Sequence, residues 1–404
     1  MKKLFIFVLL FSGLVLANNA ASNTSSTQRW PWNGKVDINY TLTATTTKTT
    51  PVFSVKFFGI DSEENTFELT TITGDGSTGI TLGSGEKKTT WDAAADLGTE
   101  VAAAGYKIGV YAEDVTEQAT YLVLDLTTYK MTTSTNGPSV AAGASSKYAE
   151  LWLRRIENGT FVMGSAFREP GRIASREEEH TVTLTKAYYI GVFELTVGQY
   201  ERINNGSTSS SSVLPEINIT YDDFRGVSSY GSSWPTKDDH RVDADSFFGQ
   251  LRIKTGNGLI FDLPTEAQWE AASRWKGTTG NGTNDYYGSF SWNNGSKFSD
   301  TNFFGLGDLA WFRKNSDSKL HEVGLKAAST IGTYDMHGNG REWCLDWYAA
   351  NISSYVLDPK GPFSGTSRCL RDGDYFFPAD ECRLAFRGAS YPNTHAGCRV
   401  TLVP

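Results

Sequence analysis

Apolar and polar residues alternate through the first third of the chain. Stretches 36–42, 52–58, 66–71, 107–112 and 121–126 are rich in Val, Thr, Ile, Tyr and Phe. They follow a period of two, with turn residues at roughly ten-residue spacing, which predicts an all-β sandwich over residues 30–131. Residues 132–147 follow, small, uncharged at first and punctuated by Gly and Pro, the composition of a linker. Beyond it Trp, Arg, Gly and Asn become dense, and helical spacing appears at 196–204 and 265–275. The second helix opens with Pro264 and Thr265 and carries Glu266, Trp269 and Ala272 on one face. The rest of 148–404 reads as short strands and loops.

The N-terminus sets the expected compartment. Lys2 and Lys3 precede an apolar run over 4–16, and Val15 and Ala17 stand at the small-residue positions of a cleavage site. Residues 1–17 therefore read as a signal peptide, and the mature protein as secreted or periplasmic. The run is too short to span about 30 Å of bilayer at about 1.5 Å per residue, and no later apolar stretch is long enough for a transmembrane segment. The net charge is −8, without a basic cluster, so nucleic acid is not an expected partner. Cys344, Cys369, Cys382 and Cys398 are the four cysteines. In an exported chain they predict two disulfides, with three pairings open, and none has zinc-type C-x2-C spacing. Gly74, Gly76 and Gly79 fit G-x-G-x-x-G, but Gly83 and Gly85 follow where a helix is needed, so the segment reads as a β-turn region.

Six blocks occur in order in the second part: Gly159-Thr-Phe-Val-Met-Gly164, His180-Thr-Val-Thr-Leu, Tyr189-Ile-Gly-Val-Phe-Glu194-Leu-Thr, Leu263-Pro-Thr-Glu-Ala-Gln-Trp269-Glu, Asp335-Met-His-Gly-Asn339-Gly-Arg-Glu342-Trp343 and Gly397-Cys-Arg-Val. Over about residues 150–404 they resemble the sulfatase-modifying factor family, whose founding member is the formylglycine-generating enzyme. The resemblance implies an α+β, C-type-lectin-like fold with much irregular loop.

In the Asp335 block, two carboxylates bracket two glycines that leave carbonyls free to turn inward, and calcium takes six to eight such oxygens. The resemblance implies calcium at Asp335, Gly338, Gly340 and Glu342, and Asn302-Phe303 could open a second such site. The Leu263 block reads as scaffold, with Thr265 capping a helix and Trp269 packing inward. His180 reads as a strand-edge residue after a solvated run, Glu177-Glu178-Glu179. Five histidines without paired spacing argue against iron.

The enzyme family oxidises a sulfatase cysteine with O₂ and copper(I) held by two thiolates in C-x4-C. Here Cys382 matches the second thiolate and Phe377 stands at the first, while Asp372 and Asp374 replace a glycine and a serine of the preceding turn. Copper is therefore doubtful. The resemblance places Asp374, Tyr375, Phe376, Phe377, Arg383, Arg387, Tyr391 and His395 along a ligand cleft, where aromatics and Arg suit a glycan or protein ligand. The favoured reading is a calcium-stabilised binding module on an extracellular surface. The alternatives are a formylglycine-generating oxidase that uses Cys382, a retroelement-diversified ligand-binding protein, and a structural part of an extracellular assembly.

Overall fold

The structure is a computed structural model and describes residues 19–29, 33–98, 106–167, 169, 171–206, 209–228, 232–235, 240–274, 306–352 and 356–404. It is a mixed α/β protein, mostly sheet with few helices. No helix among the described residues is long and apolar enough to cross a membrane. The expected signal peptide and Asn302 lie outside the described residues.

Two antiparallel sheets form the N-terminal part. Lys35–Leu42 pairs with Ala21–Gln28 and Gly85–Asp92, and Val52–Ile60 pairs with Thr66–Glu68, Ile80–Leu82 and Lys107–Asp114. Their alternation sorts the side chains: Val36, Ile38, Tyr40 and Leu42 from one sheet meet Phe53, Val55 and Phe57 from the other in a single buried cluster with Trp91.

The expected domain boundary does not coincide with the limits of the sheets. Tyr121–Asp125, read from sequence as the last strand of the N-terminal part, pairs with Glu150–Ile156, and Met131–Ser134, which straddles the expected end of the sandwich at 131 and start of the linker at 132, pairs with Tyr121–Asp125. Both belong to a six-stranded sheet that continues through Tyr188–Gly191, Thr401–Val403 and Ile260–Asp262. The cause is apolar: Leu122, Leu124, Leu151, Leu153 and Leu402 bury in one core, which Val52 and Ile80 also enter. Residues 135–143 run over the surface, before Lys147 is buried against Glu322 at 2.7 Å. The two parts are also joined by the backbone. The Gly74 N–H donates to the Gly256 carbonyl at 2.6 Å, and a Cβ on Gly258 would fall 2.0 Å from the Gly74 oxygen.

The helices sit close to where the periodicity predicts. Val197–Asn205 is capped by Thr196, whose hydroxyl accepts from the Gln199 N–H while the Gln199 side chain returns to the Thr196 N–H, and Gly206 ends it at φ 64°. Glu266–Arg274 has the same arrangement between Thr265 and Gln268. Its first residue anchors the C-terminal segment: Glu266 accepts from Arg371 at 2.9 Å and from Arg387 at 2.5 and 2.8 Å, all three buried. Burial alone would raise the Glu266 carboxyl, but the Arg387 and Arg371 guanidinium groups outweigh it and hold it at about 2.

Two outcomes are expected. A fragment starting at residue 116 should keep a cooperative thermal transition, whereas one starting at 135 should lose it with the two strands; equal behaviour would restore the boundary to the linker. Glu266→Gln should cost about 3–5 kcal/mol in urea unfolding, because it leaves buried guanidinium charge uncompensated. With its folded value depressed, Glu266 contributes stability that is complete above the ordinary range near about 4.3 and is lost as pH falls through about 2. The mutant should therefore show a shallower acid limb.

Candidate functional site

The loop 335–342 turns sharply because its residues take left-handed conformations: Asp335 at φ 51°, Gly338 at 93° and Asn339 at 70°. Glycine is required at 338 on a second count, since a Cβ there would stand 2.2 Å from the Trp311 carbonyl oxygen. The turn carries Asp335 and Glu342 inward to meet two further buried carboxylates, Glu194 and Asp372. Asn339 ties the group together, donating to Glu194 Oε2 at 2.7 Å and exchanging hydrogen bonds with the His321 backbone.

The four carboxylates differ in how their oxygens are used. Glu342 is saturated, with Arg399 Nη2 at 2.8 Å on one oxygen and Trp269 Nε1 at 2.6 Å on the other. Asp335 accepts from the Gly324 N–H through Oδ2 at 2.6 Å, and its buried Oδ1 has no partner. Glu194 Oε1 is likewise buried and unpartnered, beside Gly340, where a Cβ would stand 2.9 Å from it. Asp372, itself at φ 68°, accepts from the Gly338 and Gly373 N–H groups through Oδ1, and its Oδ2 is unpartnered. Burial, then the neighbouring carboxylates, pushes Glu194 and Asp372 well above the usual carboxylate range. Burial raises Asp335 to about 6 against the pull of the Gly324 N–H and Arg399.

Among the described residues no three Asp, Glu, His or Cys groups form a ready-made metal cage. Three carboxylate oxygens of the cluster, Asp335 Oδ1, Glu194 Oε1 and Asp372 Oδ2, are nevertheless buried without a partner, and they are hard donors of the type calcium takes. Glu342 is committed to Arg399, and the sequence reading missed Glu194, whose signal was a lone carboxylate in the apolar run 187–195. It noted Asp372 only as a departure from glycine.

Cys382 lies at the end of the turn Ala379–Cys382, packed among Leu306, Ala310, Phe312 and Ala379. Burial, then Asp372 and Glu381, raises its thiol well above the ordinary value. Phe377 is covered by the Arg341 guanidinium at 3.9 Å, and Arg341 in turn pairs with Glu381 at 2.7 Å. The two expected disulfides are not formed: all four cysteines are free and buried. Cys382 and Cys398 sit in different clusters, and Cys369, beside Cys344, donates its S–H to Glu266 at 3.3 Å.

The expected cleft divides into three groups. Asp374, Tyr375, Phe376 and Phe377 form one turn, with Phe376 60% exposed, and the Tyr375 N–H anchors it to the Asn339 carbonyl at 3.0 Å. Tyr391 and His395 are exposed on a separate turn that leads into the short pairing of His395–Ala396 with Ile219–Thr220. Arg383 and Arg387 are not cleft residues: both are buried, Arg383 against Glu177 at 2.8 Å and Arg387 against Glu266. Glu177 is therefore part of the interior rather than of a solvated run, because a buried guanidinium requires a carboxylate partner. His180 stands at a strand edge as expected, its Nδ1 at 2.8 Å from the Glu178 carbonyl.

Comparison with known proteins agrees with these blocks. The family model described as the sulfatase-modifying factor enzyme 1-like domain matches residues 147–401. The chain is 29% identical to the chaperone protein LppX of Paenibacillus barcinonensis over 56% of this chain and 81% of that one. It is 30% identical to the formylglycine-generating enzyme of Streptomyces coelicolor over 33% of this chain and 43% of the enzyme. It is 29% identical to the serine/threonine-protein kinase pkn1 of Chlamydia caviae over 59% of this chain and 35% of the kinase, so it spans less than two thirds of either of these two relatives. Among solved structures, PvdO from Pseudomonas aeruginosa is similar at a TM-score of 0.48 and 19% identity, over 66% of this chain and 97% of that one. Treponema denticola variable protein 1 is similar at a TM-score of 0.46 and 24% identity, over 67% of this chain and 99% of that one. With a match across more than half its length, the chain belongs to the sulfatase-modifying factor family.

Proposed function

We propose that this chain is an exported, calcium-stabilised binding module that recognises a glycan or protein ligand through the aromatic turn 374–377. The observation that carries the reading is what occupies position 377. Copper(I) chemistry of the family type needs two thiolates, and here only Cys382 matches, while the first position is Phe377 beneath Arg341. The same replacement puts Tyr375, Phe376 and Phe377 in sequence on a backbone-anchored turn, with the Tyr375 and Phe376 rings edge-on at 67° and Phe376 exposed. The relatives named as formylglycine-generating enzymes keep the oxidase reading as the alternative. The loop-rich, small-sheet character of the C-terminal part supports the C-type-lectin-like reading, and the shared core of the N-terminal sheets supports a sandwich.

Calcium would be held by Asp335, Glu194 and the Gly338 and Gly340 carbonyls, and when bound it supplies the positive charge that the carboxylates lack. Glu342 orients Arg399 and the Trp269 ring around that loop. Asn339 links the loop to the aromatic turn, so ordering one orders the other.

Calcium in large excess over its dissociation constant should raise the melting temperature by about 5 °C or more, and chelation should reverse this. Asp335→Ala should abolish the response. A glycan array and a panel of surface proteins, probed in calcium, should give saturable binding that Phe376→Ala weakens by about tenfold or more. A sulfatase-motif peptide incubated with the protein and copper should keep its cysteine. Conversion of that cysteine to formylglycine would overturn the reading.

A further inference from the structure

We propose that the aromatic turn takes an acidic sugar, a pyranose that carries a carboxylate, and that Arg341 is the residue that receives the carboxylate. The inference rests on the reading of the turn as a ligand site and names the class of ligand. Arg341 leaves the loop 335–342 beside the turn: its guanidinium lies 3.9 Å from the centre of the Phe377 ring, and Nη2 donates to Glu381 Oε2 at 2.7 Å. The backbone beneath is fixed, since the Arg341 carbonyl accepts from the Gly397 N–H at 2.8 Å. A guanidinium carries its N–H donors in a rigid fork, and ring and carboxylate together hold this one in place before a ligand arrives. Only Nη2 of that fork has a hydrogen-bond partner among the described residues, and the side chain is 22% exposed.

Three features of the turn match three features of such a sugar. Phe376 is exposed and meets Tyr375 edge-on rather than face to face, so it has a ring face left to stack on the apolar C–H side of a pyranose. Asp374 accepts from the Phe376 N–H through Oδ1 at 3.1 Å, while its Oδ2 has no partner among the described residues, so an acceptor for sugar hydroxyls stands beside that ring. Arg341 supplies the fork for the carboxylate, over the next ring in sequence. The flank of Phe377 is basic as well: the Arg313 N–H donates to the Phe377 carbonyl at 2.9 Å, and Arg313 and Lys314 are both exposed. An acidic peptide side chain offers the carboxylate without hydroxyls for Asp374, and a neutral sugar lacks the group that Arg341 can take.

The test titrates the full chain, by calorimetry, with a panel of uronate trisaccharides, each against its carboxyl-reduced, neutral counterpart. In at least one pair the acid should bind about tenfold or more tighter than the neutral sugar, the ratio shrinking as salt rises. Arg341→Gln should bring that ratio to about one. Arg341→Lys keeps the charge and loses the fork, so its ratio should fall between, and it keeps the test decisive where Arg341→Gln does not fold. Glu381→Gln frees Nη2 and should raise the ratio, whereas a pair with a structural role alone would lower the melting temperature in both variants and leave the ratio as it was. Phe376→Ala should weaken acid and neutral sugars alike. Equal affinity within every pair, or a ratio that Arg341→Gln leaves unchanged in a folded variant, overturns the role of Arg341 and leaves the turn standing as a ligand site. Arg341-dependent binding of a glutamate-rich peptide in place of the sugars overturns the assignment to sugar. If neither the sugars nor a surface protein binds in a way that Phe376→Ala weakens, both readings fall.

Discussion

A guanidinium buried without a counter-charge is among the most costly things a protein interior can hold, and this chain buries several. Arg225, Arg371, Arg387 and Arg399 are all almost wholly enclosed, and each meets a carboxylate: Asp262, then Glu266 for the next two, then Glu342. Because the partners come from distant parts of the sequence, the pairs fix how segments pass one another. Glu266 takes two of them, which joins the helix Glu266–Arg274 to the strand Arg368–Arg371 and to the loop that follows Cys382. Exchange of such pairs for apolar groups of equal shape is often neutral in energy, so their contribution lies in setting a single arrangement of a loop-rich fold.

The carboxylate cluster at 335–342 follows the opposite rule. Around Glu266 two guanidinium groups outweigh burial, and the carboxyl is held low; around Glu194, Asp335 and Asp372 burial is not outweighed, and the carboxyls are driven up. The contrast lies within one interior, a few residues from Trp269, which touches both regions through Arg371 and Glu342. Asp335, Asn339 and Asp372, three non-glycine residues in left-handed conformations, gather at this cluster.

What the sequence made legible was local or repeated as a motif. The capped helices at Thr196 and Thr265, the alternating strands and the family blocks rest on neighbours in the chain, and they emerge in the structure. What it concealed depends on partners far away. Arg383 and Arg387 look like surface residues until Glu177 and Glu266 close on them across more than a hundred positions. Glu194 reads as part of a motif and takes its meaning from Asn339, 145 residues on. The cysteines are even in number, but no count can reveal that Cys382 and Cys398 pack in separate clusters. The Gly, Pro and Ser content of 132–147 is real, yet the strand Met131–Ser134, which runs into its first residues, still finds a neighbouring strand.

That pairing bears on how the family part of the chain ends. The matched segment opens at residue 147, just before Glu150–Ile156, one side of which hydrogen-bonds to Tyr121–Asp125. Removed from what precedes it, that strand would present an unpaired backbone edge with Leu151 and Leu153 beneath it, the kind of surface on which chains stick to one another. The residues ahead of the matched segment thus act as its seal.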